Sequence, residues 1–129
     1  MENNNNLKAI VIEKNQGIID LLLPILKNRS CRIKLSPGKA DAVRNLKEEY
    51  YGLAFIGNTD DNVSPFDAMK DIVMVSPMTS IILITDLPTK DVHEKAEGYG
   101  ILGHVSSKVS SEKLIPLLDQ FERINKSLS

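Results

Sequence analysis

Short apolar runs alternate with segments of helical periodicity along almost the whole chain. Five apolar runs have the length of strands, at 7–13, 31–35, 52–57, 80–85 and 101–106. Helices are predicted at 17–28, 37–46, 65–73, 89–98 and 110–124, the fourth short and polar and the others with apolar residues at core-facing spacing. This strict alternation predicts a parallel sheet with right-handed crossovers and helices on both faces.

Local signals refine the predicted helices. The Ser–Pro pairs at 36–37 and 64–65 are each predicted to start a helix, with the serine as N-cap and the proline in the first turn. Pro24 lies too far inside the first helix for that role and predicts a kink or a local break. Leu21 and Ile124 fall on the apolar stripes of the first and last helices and are predicted to face the core.

Composition narrows the class of protein. The 129 residues suit one domain, and 42% hydrophobic with 26% charged residues is ordinary for a globular protein. Sixteen basic and seventeen acidic side chains leave a net charge of −1, without the basic surplus that nucleic acid or an anionic membrane requires. Aromatic residues make up only 5%, which disfavours base stacking. We therefore expect neither nucleic-acid nor membrane binding.

The cysteine content and the first residues indicate the compartment. Cys31 is the single cysteine, so no internal disulfide can form and a reducing compartment fits. The lead-in MENNNN (1–6) lacks the regions of a signal peptide and is predicted to be disordered. The most apolar run, 18–26, contains Asp20 and Pro24 and is too short to span a bilayer. These features predict a cytoplasmic protein.

The string GYGILG at Gly98–Gly103 has the G-x-G-x-x-G spacing of dinucleotide-binding folds. In those folds the glycines follow a strand and open a helix, whose N-terminal amides hold the pyrophosphate. Here a predicted helix ends at Gly98 and a predicted strand follows it. We therefore interpret the string as a helix stop, with glycine in the left-handed conformation, and a turn into the last strand.

Reaction and ligand sites in open parallel sheets lie at the carboxyl ends of the strands. The informative ends here are residues 13–14, 57–58, 85–86 and 106–108. The runs that lead to them resemble those of bacterial response-regulator receiver domains in order and spacing: KAIVIEKN (8–15), YYGLAFIG (50–57), SIILIT (80–85) and GYGILGHVSSK (98–108).

The resemblance covers about residues 7–125, with 126–129 suiting a tail or the start of a linker to an output domain. It implies a flavodoxin-like α/β fold: a doubly wound, five-stranded parallel sheet of order 2-1-3-4-5 with five helices in three layers. In this family two acidic residues after the first strand hold Mg²⁺, and an aspartate ending the third strand accepts a phosphoryl group. A hydroxyl and a lysine then contact the phosphoryl oxygens.

The metal and acceptor positions depart from the family pattern. The first acidic position is Glu13, the second is Lys14, and the phosphoacceptor position is Gly57, followed by Asn58. An acyl phosphate cannot form on glycine, so phosphorylation at the usual place is excluded. Mg²⁺ binding is expected to be lost because too few oxygen ligands remain. The Lys14 ammonium can replace the charge of the metal, worth up to about 4 kcal/mol for a close pair at an effective dielectric of 20.

The remaining positions are partly retained. The hydroxyl position is Thr85, which fits a vestigial switch hydroxyl and an ordinary strand end equally well. Direct spacing puts Ser107 at the lysine position, with Lys108 one residue later. His104 takes the aromatic switch position, either as a pH-responsive group or as a half-exposed strand residue.

These departures predict a non-enzymatic signalling module, a pseudo-receiver, without a cofactor. The resemblance implies that it binds a protein partner or a second copy of itself through the fourth helix, fifth strand and fifth helix. One alternative is phosphorylation on Asp60, Asp61 or Asp86, of which Asp86 is also a candidate to pair with Lys14. A second alternative is a flavodoxin-like binder of a small anion or cofactor, recruited by Lys14 and Lys108.

Overall fold

The computed structural model describes residues 7–128, with side chains as far as Asn125. Strands and helices alternate strictly along this part of the chain: β1 (Lys8–Ile12), α1 (Gln16–Asn28), β2 (Arg32–Leu35), α2 (Lys39–Glu48), β3 (Leu53–Ile56), α3 (Pro65–Val75), β4 (Ser80–Ile84), α4 (Thr89–Lys95), β5 (Gly103–Val105) and α5 (Ser111–Leu128). The predicted order of elements is confirmed. The segment predicted to be disordered, 1–6, lies outside the described residues.

All five strands form one parallel sheet in the order β2-β1-β3-β4-β5. β1 and β3 are neighbours, with Ala9 opposite Leu53 and Ile12 opposite Ile56. The order of strands reverses between β1 and β3, so the crevice at their carboxyl ends is the place where such sheets hold ligands. The predicted flavodoxin-like, doubly wound fold is confirmed.

Helices cover both faces of the sheet. Successive side chains of β1 point to opposite faces. Val11 is buried in a cluster with side chains of α1 and α5, such as Leu22 and Phe121. Ile10 is buried on the other face, in a cluster with side chains of α2, α3 and α4 such as Met69. The strand ends are therefore held between two packed layers.

The two Ser–Pro pairs behave differently. Ser64 caps α3 as predicted, since its Oγ accepts a hydrogen bond from the amide of Asp67 (3.1 Å). At the other pair the prediction is wrong, because α2 begins two residues later than proposed, with Gly38 as N-cap. Ser36 is instead buried in the loop before α2, where its hydroxyl donates to Asp41 (2.5 Å). The Ser36 hydroxyl is therefore bonded to the Asp41 carboxylate and does not cap the first amides of α2.

Three helix details differ from the sequence predictions. α1 continues through Pro24 as one helix rather than breaking there. Leu21 and Ile124 are 47% and 40% exposed, so their predicted inward orientation is wrong. The apolar stripe of each helix is wider than the face that the sheet covers. α5 runs to Leu128, past its predicted end, so the predicted tail overlaps the helix. Within the described helices, none combines the length and apolar character needed to cross a bilayer.

The string GYGILG lies between a helix and a strand, as predicted, but the helix does not extend to Gly98. α4 stops at Lys95, somewhat earlier than expected, and a turn leads to Gly98 with φ of 87°. That left-handed conformation suits glycine because it has no β-carbon. Gly100 is also left-handed, and β5 then begins at Gly103. A strand, not a helix N-terminus, follows the glycines, so the phosphate cradle of a dinucleotide site is not built here.

Candidate functional site

Glu13 is the buried carboxylate of the predicted pocket. It directly follows β1 and is 1% exposed. Its Oε2 accepts a hydrogen bond from the amide of Asn15 (3.0 Å), and its Oε1 accepts one from the amide of Asn58 (3.1 Å). A buried carboxylate needs such donors to offset the loss of hydration. Glu13 therefore joins the loop after β1 to the loop after β3.

The Glu13 carboxylate lies where a side chain at position 57 would go. A β-carbon on Gly57 would lie 3.1 Å from Cδ of Glu13, nearer still to its Oε1, and 3.2 Å from Cβ of Ile84. The φ angle of Gly57 is outside the left-handed region, so the backbone does not demand glycine here. The lack of space demands it, because the Glu13 carboxylate occupies the place that a side chain at position 57 would take.

Lys14 contributes its backbone, not its charge, to this pocket. Its amide donates to the carbonyl of Asn58 (2.8 Å), beside the bond from the Gly57 amide to the carbonyl of Ile12 (2.8 Å). The side chain of Lys14 is exposed, and the ion pairs among the described residues do not include it. The Lys14 ammonium, which was expected to replace the charge of the metal, forms no ion pair with Glu13, and backbone amides bind that carboxylate instead.

Asp60 and Asp61 lie at the start of α2 rather than in the pocket. The two oxygens of Asp61 accept hydrogen bonds from the amides of Lys39 and Ala40, both at 3.1 Å. These amide bonds lower the pKa of Asp61. The amide of Asp60 donates to the carbonyl of Pro37 (2.9 Å). Asp61 thus supplies the N-terminal cap that sequence reasoning assigned to Ser36.

Asp86 pairs with Ser107, across the ends of β4 and β5. Its carboxylate accepts from the Ser107 amide (2.9 Å) and from the Ser107 hydroxyl (2.7 Å). Those two bonds, the amide first, lower the pKa of Asp86. The suggested pairing of Asp86 with Lys14 is wrong because β3 separates β4 from β1. The Asp86–Ser107 contact was missed, although both residues follow neighbouring strands.

The other two candidates have local contacts. Thr85 is half-buried, and its Oγ1 accepts from the amide of Leu87 (3.2 Å). Lys108 is exposed, and its amide donates to the hydroxyl of Ser106 (3.1 Å). The hydroxyl of Thr85 is therefore bonded within the loop after β4. The backbone of Lys108 is bonded within the turn after β5.

An open cleft of about 860 Å³ lies beside the pocket, between the start of α3, the end of β4 and α4. Two lysines, Lys70 and Lys95, line it, and neither was predicted to lie at the strand ends. They reach it from helices packed on one face of the sheet, a relation that local sequence does not show. The candidates that line the cleft are Asn58, Thr85, Asp86 and Ser107. The candidates outside its lining are Glu13, Lys14, Gly57, Asp60, Asp61, His104 and Lys108.

Comparison with known proteins rests on structure, because no family model and no curated protein matches the sequence. A CheY-like response regulator receiver domain protein from Methanospirillum hungatei aligns with a TM-score of 0.78 at 12% identity, over 94% of this chain and 98% of that one. A two-component response regulator from Clostridium difficile gives 0.79 at 18% identity, over 92% and 97%. The receiver domain of a sensor histidine kinase from Pseudomonas aeruginosa, with a magnesium ion coordinated in its active site cleft, gives 0.76 at 15%, over 91% and 98%. The fold is that of a response-regulator receiver domain.

The structure brings together Glu13 and Gly57, which were predicted as the first acidic position and the acceptor position, with Asn58 alongside. Thr85 and Ser107, which were predicted as the hydroxyl and lysine positions, both line the neighbouring cleft. Lys14, which was predicted at the second acidic position, is exposed and does not line the cleft. The pocket of this receiver fold is thus divided, with its carboxylate enclosed and its hydroxyls open to solvent.

His104, which was predicted to take the aromatic switch position, is half-buried on β5. Its ring centroid lies 6.3 Å from that of His93 on α4, with the ring planes at 87°. Burial, and then the neighbouring His93, lower the pKa of His104. The imidazole is therefore in contact with α4, the helix that borders the cleft.

Proposed function

We propose that this chain is a receiver-type signalling module that acts through protein contacts, without phosphorylation on the third strand and without enzymatic activity. The observation that carries the proposal is the Glu13 carboxylate beside Gly57, enclosed and hydrogen-bonded by the amides of Asn15 and Asn58. It fills the space that an acceptor side chain would need. The pocket is therefore complete without a phosphoryl group.

The same residues do not suit Mg²⁺. A magnesium ion demands several oxygen ligands in near-octahedral geometry. Both oxygens of Glu13 already accept amide hydrogen bonds, and the Asn58 carbonyl accepts from the amide of Lys14. Among the described side chains, no three of His, Cys, Asp or Glu gather in a group that could hold a metal. We infer that Mg²⁺ binding at this pocket is lost.

The alternative acceptors are already engaged. Asp61 caps the first amides of α2, and Asp86 holds both the amide and the hydroxyl of Ser107. Phosphorylation of either carboxylate would break these bonds without the metal that offsets charge in phosphoryl transfer. Asp60 is exposed and lies by the start of α2, near Gly38. These contacts favour a module that is not phosphorylated on the three aspartates.

Two measurements test the proposal together. Uniformly ¹⁵N-labelled protein is titrated with beryllofluoride in the presence and absence of MgCl₂, and the amide shifts of Gly57, Asn58 and Thr85 are followed. We expect no saturable change. Incubation with acetyl phosphate followed by intact mass measurement should add no phosphoryl mass. A saturable shift, or any phosphoryl group added to the wild type, would refute the proposal, and its loss in Asp60→Asn, Asp61→Asn or Asp86→Asn would identify the acceptor.

The interaction surface is proposed to be α4, β5 and α5, as the resemblance implies. α4 offers exposed charges of both signs, including Lys90 and Glu94. Sedimentation of the full chain over a range of concentrations decides whether it pairs with itself. If it does, reversing Lys90 to Glu should weaken the dimer, whereas Lys27→Glu on α1 should not. Equal effects of the two variants would place the interface elsewhere.

A second candidate function is binding of a small anion in the cleft. Lys70 and Lys95 line the cleft together with the hydroxyl-bearing Thr85 and Ser107, and the carboxylates of Asp67 and Asp86 line it too. The predicted Lys14 and Lys108 are outside the lining. Thermal unfolding with inorganic phosphate or sulfate tests this, with Lys70→Gln as the variant and Lys27→Gln as control. A rise in Tm that Lys70→Gln removes would support it, and an equal rise in both variants would count against it.

A further inference from the structure

Both histidines of the chain meet between α4 and β5. The sequence contains two histidines, and the fold puts the ring of His93 from α4 within 6.3 Å, centroid to centroid, of the ring of His104 from β5. His93 is exposed and His104 is half-buried. The two imidazoles therefore form a pair that solvent can reach from the side of His93.

The direction of His104 follows from the strand. Val105, its neighbour, is buried in the cluster formed with α1 and α5. A β-carbon at Gly103 would likewise meet Leu117 of α5. Because side chains alternate along a strand, His104 points to the opposite face, where α4 packs. The backbone of β5 thus places His104 on the face of the sheet where α4 packs.

The distance between the two ring centroids is close to the distance expected for two imidazoles that bind the same metal ion. A metal bound to one nitrogen of each imidazole at roughly 2.0 Å in tetrahedral geometry would hold the two centroids about 5 Å apart. The observed 6.3 Å is about 1 Å longer, and rotation of the exposed His93 side chain can close that gap. Imidazole nitrogen suits zinc, copper and nickel, whereas Mg²⁺ prefers oxygen.

We propose that His93 and His104 form a two-histidine site for a transition-metal cation, Zn²⁺ or Ni²⁺, which ties α4 to β5. The other coordination positions are left to water or to an outside ligand, since no third His, Cys, Asp or Glu joins a metal-binding group in the described residues. The neutral form of imidazole is the ligand.

The test uses the full chain without a histidine tag, at pH 7.5, with ZnCl₂ or NiCl₂. Binding is followed by calorimetry and by thermal unfolding. A cation at about ten times its Kd should raise Tm by roughly 4–6 °C. His93→Asn, an exposed substitution that spares the core, should abolish saturable binding, and so should His104→Asn. Cys31→Ala should retain it, and MgCl₂ should have no effect on the wild type.

Two results would overturn the site: no saturable binding by the wild type, or unchanged binding by His93→Asn. Loss of binding in Cys31→Ala would also overturn it, because the thiol would then be the ligand. This site is independent of the proposed signalling function, since beryllofluoride and acetyl phosphate report on the Gly57 pocket and not on the histidines.

Discussion

A methyl group at position 57 should be costly because Glu13 occupies its place. The β-carbon of Gly57→Ala would lie 3.1 Å from Cδ of Glu13 and 3.2 Å from Cβ of Ile84. Overpacking of this kind costs about 1–3 kcal/mol. If Glu13 swings out instead, it gives up amide hydrogen bonds that are worth about 1.5–3 kcal/mol each when one partner is charged. We expect Gly57→Ala to lower the free energy of unfolding by about 2–4 kcal/mol.

The sign of this prediction is unusual for such a substitution. Where the backbone conformation is allowed, replacing glycine with alanine stabilises a protein by about 0.4–1 kcal/mol through the unfolded chain. Gly57 is not left-handed, so backbone strain gives no reason for a loss. A loss of stability in Gly57→Ala would therefore be due to the clash of the new methyl group with Glu13 and Ile84.

A double-mutant cycle isolates the contact. Glu13→Ala alone leaves the amides of Asn15 and Asn58 without their acceptor, at a cost of about 1–3 kcal/mol for each group that stays buried. The double variant has room for the new methyl group. Its loss should be smaller than the sum of the single losses by about 1–3 kcal/mol.

Urea unfolding followed by far-UV circular dichroism measures all four proteins. Losses that add to within about 0.5 kcal/mol would refute the idea that Glu13 and Gly57 share one space. The same clash predicts that Gly57→Asp alone does not restore beryllofluoride binding, since the new carboxylate has no room while Glu13 faces inward.

Three further predictions follow from single residues. Burial raises the pKa of Cys31 from 9.0 to about 11, so the native thiol should react with a disulfide reagent at pH 8 far more slowly than in urea. The stability linked to that shift is present below about pH 9 and is lost as the pH rises towards 11, so Cys31→Ala should flatten the alkaline decline, and an unchanged slope would contradict this. Gly98→Ala should cost about 1–2 kcal/mol in urea unfolding, because φ at this residue is 87°. Ser64→Ala should cost about 1 kcal/mol and speed hydrogen exchange at the amide of Asp67, which the serine caps.

The element order and the fold were predictable from the chain because each helix and strand carries its own periodicity. The β1, β3 and β4 runs are apolar at consecutive positions, which indicates strands covered on both faces. GYGILG could be rejected as a nucleotide motif because its neighbours in sequence decide whether a helix begins or ends there. Such signals are local, and they need no knowledge of distant contacts.

Partners between distant loops could not be predicted in the same way. Asp61 caps α2 from the loop after β3, which displaced the role expected of Ser36. Asp86 holds Ser107 rather than Lys14, and this follows only once the strand order is used to ask which ends are neighbours. The identity of a cap or an ion pair depends on three-dimensional distance, and several candidates with the same chemistry compete for each group.

The amino-acid sequence by itself determined that this chain folds as alternating strands and helices and that position 57 carries no acceptor side chain. Only the tertiary structure decided that Glu13 turns inward to fill that position, and that His93 lies against His104. The reason is physical: periodicity and residue type act along a few neighbouring residues, whereas a buried carboxylate goes where amide donors and free space coincide. That coincidence exists only after β1 and β3 have paired.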